Sequence, residues 1–258
     1  EPLGIVSQDY FPVQYREIVD GVEQALIKAE LDLSDAEFTT NVWDRGGKLE
    51  LRAKFPAHIQ SLGTNHDTII PEFVFRTSHN RTWANSGMMG VWRTFCYNTL
   101  VTGDKLAYVY GRHTKNFDVS AFASKVKNAG EFISGSGLDT MRDWYDTKVT
   151  REEAINLFTK TLAQRTDNVT RKKVANKVML SNLMKIFDEE NRHLHGRGSY
   201  EAYGTREEGT LWSAYNSATH WSSHPENSKG KAHNVKVNRE DKVRKMLASP
   251  EWKELEVA

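Results

Sequence analysis

The sequence predicts an α+β fold, and three observations carry that reading. Alternating, β-branched and aromatic runs concentrate before residue 149, helical periodicity takes over from residue 150, and no repeat or low-complexity tract interrupts that order. The expected architecture is one domain over residues 1–258, with an N-terminal, mostly antiparallel sheet accompanied by helices (1–149) and a helical C-terminal half (150–258). The hydrophobic fraction of 38% is low and the charged fraction is 27%, so a polar, wet surface is expected around the core. Seven tryptophans within 10% aromatics argue against disorder, because disordered chains lack large rings.

Residues 1–14 are expected to be extended, since Pro2 and Pro12 exclude a regular helix. From Tyr15, the positions Ile18, Val19, Val22, Ala25, Leu26 and Ala29 repeat with the period of an amphipathic helix. Phe38–Trp43 alternates weakly, Arg45-Gly46-Gly47 suits a hairpin turn, and Leu49, Leu51, Ala53 and Phe55 alternate with Glu50, Arg52 and Lys54 as in a half-buried strand. Ile69–Phe75 and Lys105–Tyr110 read as two further strands. Met88–Val101, with apolar positions at 88, 91, 92, 95 and 99–100, is expected to be helical. Thr150 and Glu153 form a capping box that opens a helix to about Gln164. Asn168–Leu194 is expected as one long helix ended by Gly196 and Gly198, and Thr210–Ser223 as a third, aromatic on one face. Asn227–Asn238 reads as a basic loop, followed by a terminal helix over Arg239–Leu255 interrupted at Pro250.

Net charge is only +1, so any grip on a polyanion must come from local patches. Between residues 160 and 185 stand Lys160, Arg165, Arg171, Lys172, Lys173, Lys177 and Lys185 against Asp167 alone. Between 229 and 245, seven cations face Glu240 and Asp241. Such patches neutralise phosphates and release counterions, although a solvated helix face is the ordinary reading of a charge run. Aromatic residues shift the weight. The stretch Ser78–Thr114 interleaves His79, Arg81, Arg93, Arg112 and His113 with Trp83, Trp92, Tyr108 and Tyr110. Strand geometry puts Tyr108, Tyr110 and Arg112 on one face, where bases could stack for roughly 1–3 kcal/mol each. The residues expected to hold nucleic acid are therefore Arg81, Arg93, Tyr108, Tyr110, Arg112, His113, Arg171, Lys172, Lys173 and Lys177.

Catalytic and cofactor signals are thin. A single cysteine, Cys96, excludes an internal disulfide and any multi-cysteine metal site, and its apolar run marks it as a small buried hydrophobe. His220 and His224 share a helix face, but no Glu follows His220 as the zinc-protease pattern requires. The glycines at 87, 90, 196 and 198 lack a following Gly-Lys-Ser/Thr, and Gly135-Ser136-Gly137 lacks the strand-to-helix context of a nucleophile elbow. No cofactor, no resident metal and no catalytic residue are expected. No stretch approaches the roughly 20 apolar residues that span a bilayer and no signal-peptide pattern stands out, so a soluble cytoplasmic protein is expected.

Several separated segments resemble the family of phage- and plasmid-borne proteins catalogued as domain of unknown function 932. They are Leu3-Gly4-Ile5-Val6-Ser7 with Tyr10, Pro12 and Val13; Gly46-Gly47; Thr77-Ser78-His79; Phe95–Leu100; Arg112-His113-Thr114; and Leu211-Trp212, Ala214-Tyr215-Asn216, Thr219 and His224. Where the family usually carries Asp-Gly after Ser-His, this chain has Asn80-Arg81. The resemblance implies a setting in mobile elements and phages, in genes of DNA replication or recombination, and it transfers no catalytic residue. Taken with the basic and aromatic segments, it leads us to expect a phage single-stranded DNA-binding protein of the infected bacterial cytoplasm, with strand annealing among its activities. A homo-oligomer and contacts with phage or host replication proteins are expected partners. Two other readings stay open: a metal-dependent enzyme on nucleic acid, and a host-takeover protein that binds a bacterial partner.

Overall fold

Alternation before residue 149 becomes an antiparallel sheet, and the periodic segments after 150 become helices, so the chain is α+β. The computed structural model describes residues 6–28, 30–62, 67–93, 98–101, 108–115, 117, 136–194, 208–225 and 232–257. They fall in two compact units: Glu1–Gln60 with Ile69–Trp92 and Asp104–Leu138, and Ser61–Thr68 with Arg93–Gly103 and Asp139–Ala258.

The first unit opens with helix α1 (Tyr15–Lys28), whose stripe of Ile18, Val22, Ala25 and Leu26 is buried as the periodicity requires. Its sheet has the order β1-β2-β4-β5 with β7 beside β5, built from β1 (Glu37–Trp43), β2 (Lys48–Lys54), β4 (Asp67–Ser78), β5 (Asn85–Arg93) and β7 (Tyr108–Gly111). β3 (Gln60–Leu62) precedes β4 in the chain. The turn between β1 and β2 is a short 3-10 segment in which Arg45 and Gly46 both have positive φ.

Two expectations about this sheet are overturned. The described residues of Met88–Val101 are not helical: 88–93 lie in β5 and 98–101 form β6 (Asn98–Val101), while 94–97 lie outside the described residues. β5 is buried on both faces, and a strand of that kind reads as a continuous apolar run whose period cannot be told from a buried helix. β2 is not half-buried either. Its polar face is as closed as its apolar one, with Lys48, Glu50 and Arg52 at 8% exposure or less. Charge pairing across strands makes that burial tolerable, because a buried charge needs a partner. Arg52 donates to Glu50 (2.7 Å) and to both oxygens of Glu72 (3.1 Å), and Arg76 donates to Glu50 (2.6 Å).

The second unit is helical: α2 (Ser136–Asp146), α3 (Arg151–Thr161), α4 (Lys177–Leu194), α5 (Leu211–Ser223), α6 (Ala232–Leu247) and α7 (Pro250–Glu256). The capping box at Thr150 and Glu153 is present as the spacing predicts, with each partner satisfying a backbone N–H at the start of α3. α5 is buried around most of its circumference and packs against α4 and α6. Trp144, Tyr215 and Trp252 pack ring to ring at 5.0–6.3 Å, and Glu256 accepts from both indole N–H groups.

Here too the helix boundaries depart from expectation. Asn168–Leu194 is a hairpin of β9 (Gln164–Thr166) and β10 (Lys173–Ala175), followed by α4. Asp167 draws the chain into a turn instead, the competition with helix that short polar side chains offer. From Ala232 the stretch expected as a loop up to Asn238 forms the first turns of α6, a helix polar enough to hide its period, and 227–231 lie outside the described residues. Neither α2 nor the short pair β8 (Lys148–Thr150) and β11 (Glu208–Thr210) was legible in the sequence. Cys96, His195, Gly196, Gly198 and the opening Leu3-Gly4-Ile5 lie outside the described residues.

Candidate nucleic-acid interface

The hairpin β9–β10 is a basic ribbon with a fixed tip. The Asp167 carboxylate accepts from Val169 N (3.1 Å), Thr170 N (2.7 Å) and the Thr170 hydroxyl (2.8 Å). Those bonds hold its carboxyl below the ordinary carboxylate range, so the one acidic charge of the segment is ionised and spent on the turn. Arg171 closes the turn in the left-handed region at φ 57, its N–H bonded to the Asp167 carbonyl. The base is anchored where Asn176 N donates to Ala163 O (2.7 Å), beside the buried Leu162 and Ala163.

Around this frame Arg165, Arg171, Lys172, Lys173 and Lys177 are all exposed. Their neighbours Lys160 and Lys185 have carboxylates within 4 Å, from Glu251 and Glu189. Among the described residues the five ribbon cations have no such partner. Arg165 stands opposite Val174 and Lys173 opposite Thr166, so the cations occupy both faces of the ribbon as well as its tip. Val169 projects from that tip at 89% exposure. The arrangement can neutralise successive phosphates of a polyanion without first breaking any ion pair.

The expected residues of the first unit are arranged differently. Tyr110 is 56% exposed on β7, opposite Ser86, and Arg112 and Arg81 are exposed. Tyr108 stands opposite Met88 in the same strand. The segments carrying Arg81 and Arg112 are tied together, because the His113 Nε2–H donates to Trp83 O (2.9 Å). His113 itself is buried, which removes it from any surface contact. It belongs to a knot that clasps residues 10–15: Phe11 N donates to His113 O, the Tyr10 ring lies against His113 at 4.7 Å, and the Tyr10 hydroxyl donates to Ser78 O. The Tyr15 hydroxyl donates to Gly46 O (2.7 Å), its ring stacks on His79 at 4.0 Å, and His79 Nε2 donates to Val13 O (2.7 Å). Desolvation pushes the Tyr15 phenol up to about 12, so it stays a neutral donor. Motif residues far apart in sequence therefore converge in a structural clasp whose polar groups mostly bond to backbone carbonyls.

The clasp also accounts for Asn80-Arg81. The Asn80 side chain accepts from Thr82 N (3.3 Å) and the Thr82 hydroxyl, the bond an aspartate would make there, and Arg81 takes φ 64, where a glycine would be at ease. One consequence is a pH dependence. Burial holds the His113 pKa below its usual value, and among the described residues Nδ1 has no acceptor for the hydrogen bond a second proton would donate. With the folded value below the unfolded one, the stability it protects is whole above about pH 6.5 and is lost as pH falls toward the folded value. His113→Gln keeps a donor for Trp83 O but cannot titrate. Its urea midpoint should change less than that of the parent protein between neutral and mildly acidic pH.

Arg93 is removed from the interface by its surroundings. Its side chain is fully buried in the second unit, bonded to Glu190 (2.7 Å) with its guanidinium 5.8 Å from the Trp212 ring centroid. The His220 and His224 rings stack at 4.3 Å, and His224 Nδ1 donates to His220 O. Among the described residues no group of three or more His, Cys, Asp or Glu side chains is placed to hold a metal ion, and no helix is long and apolar enough to cross a membrane.

In comparison with known proteins, the family described as Domain of unknown function (DUF932) matches residues 2–244, nearly the whole chain. No curated protein and no solved structure matches.

Proposed function

We propose that this chain, which belongs to the DUF932 family, binds single-stranded DNA through the ribbon of residues 164–177. The observation that carries the reading is the set of five exposed cations, without ion-pair partners among the described residues, four on a hairpin whose only carboxylate is occupied by its own turn and the fifth, Lys177, at the start of the helix that follows. Phosphates supply the complementary charge, and the counterions they release drive association. On the first unit, taken by itself, Tyr110 is 56% exposed and offers a face on which an unpaired base can stack, a contact available to a single strand and not to a duplex. The setting we propose is replication or recombination of a phage or plasmid in a bacterial cytoplasm, with strand annealing as an associated activity and replication proteins as partners. The metal-dependent enzyme reading lacks a ligand set among the described residues.

Fluorescence anisotropy of a labelled oligonucleotide, competed with unlabelled single strand or duplex, tests the proposal. It expects salt-sensitive binding that single strand displaces better than duplex. Absence of binding at low salt overturns it.

A further inference from the structure

We infer that β1 is the surface on which two copies of the chain join, edge to edge, across a two-fold axis. Among the described residues β1 ends the sheet order and pairs on one side only, with β2, through seven consecutive residue pairs without a bulge. Its outer side is open: residues 37–40 and 42 are exposed, and Val42 reaches 55% and Phe38 42%. These two side chains do not belong to a solvent face. The register puts Phe38 opposite Ala53 and Val42 opposite Leu49, on the side where Leu49, Leu51 and Ala53 are at most 2% exposed. The apolar layer of the sheet therefore runs out, uncovered, onto its edge strand.

Sheet edges are ordinarily guarded by lysine, proline, bulges or a short strand. β1 has none of these: its sequence is Glu-Phe-Thr-Thr-Asn-Val-Trp over seven residues. The occupant we assign is a second copy, because the strand is complementary to itself. Paired antiparallel about Thr40, it sets Phe38 opposite Val42 of the second copy and Val42 opposite its Phe38, an apolar pair made twice on one face. Thr39 meets Asn41 on the other face, Thr40 meets Thr40, and the single charge, Glu37, meets Trp43 rather than its own equivalent. A register shifted by one residue puts Phe38 opposite Asn41 or Trp43 and Val42 opposite Glu37 or Thr39, and the doubled Phe–Val pair is lost. This inference is independent of DNA binding, because it rests on the sheet alone.

Sedimentation equilibrium at micromolar protein tests it. The unsubstituted chain should sediment at twice its 29.5 kDa mass, and Val42→Lys, which places a charge on the exposed edge, should return it to 29.5 kDa with an unchanged circular dichroism spectrum. Thr40→Cys then reads the register: mild oxidation should yield a covalent dimer in high proportion, whereas Asn41→Cys, facing Thr39, should yield little. A monomer at every concentration overturns the inference. So does a dimer that survives Val42→Lys, or one in which the two cysteine variants cross-link alike.

Discussion

Glu190→Ala lowers the stability of the protein by about 3–5 kcal/mol, the cost of breaking a buried ion pair by removing one of its members. Its partner Arg93 is 0% exposed and Glu190 is 7% exposed, so water cannot replace the lost carboxylate. The Trp212 ring near the guanidinium offers only weak compensation at a 5.8 Å separation. Charge rather than shape is responsible, and a double replacement separates the two. Arg93→Met with Glu190→Leu removes both ions and keeps apolar volume, so it should sit much closer to the parent protein than Glu190→Ala does. Urea denaturation gives both numbers. A loss below about 1 kcal/mol for Glu190→Ala would mean that the pair is not closed from solvent.

Lys172→Ala combined with Lys173→Ala has the second large effect, on binding rather than on folding. Both side chains are exposed and outside any ion pair among the described residues, so stability should move by no more than about 0.5 kcal/mol. On a single strand each neutralised phosphate contributes about 0.7 to the slope of log affinity against log salt, so losing two contacts should flatten that slope by about 1.4. Affinity should fall most at low salt and converge with the parent protein as salt rises. Arg112→Ala, on the first unit, should leave the slope of the ribbon contacts in place and cost less. An unchanged slope in the lysine double variant would take the ribbon out of the interface.

How much of this was legible in the sequence depends on the kind of signal each segment carries. α1 and the capped start of α3 were readable because one amphipathic stripe and one local cap decide them. The β1–β2 hairpin was readable from its glycines and alternation. What escaped were decisions made by tertiary context. β2 carries Glu50 and Arg52 where an alternating pattern implies water, yet the carboxylate of Glu72 and the guanidinium of Arg76, 20 and 26 residues from the groups they pair with, help bury that face. β5 carries a run whose helical look disappears once both faces are covered.

The site shows the same division. The cations at 165–177 were visible as a charge run, but their presentation was not, because Asp167 and its bonds to Thr170 convert an expected helix face into a ribbon. Arg93 looked like its neighbours in a cationic, aromatic stretch. Tertiary contacts make it an internal residue, among them Glu190 from a helix nearly a hundred residues later. His113 and His79, singled out for their chemistry, turn out to fasten residues 10–15, a role set by backbone carbonyls that no spacing reveals.

Photo-cross-linking shows whether the ribbon grips a single strand. A bromodeoxyuridine-substituted oligonucleotide is bound to the full chain, irradiated and mapped by mass spectrometry of the digested protein. Cross-links concentrated in peptides covering residues 164–177, and suppressed by added salt, are the result expected. Efficient cross-links that leave that segment untouched and fall elsewhere on the chain would contradict it.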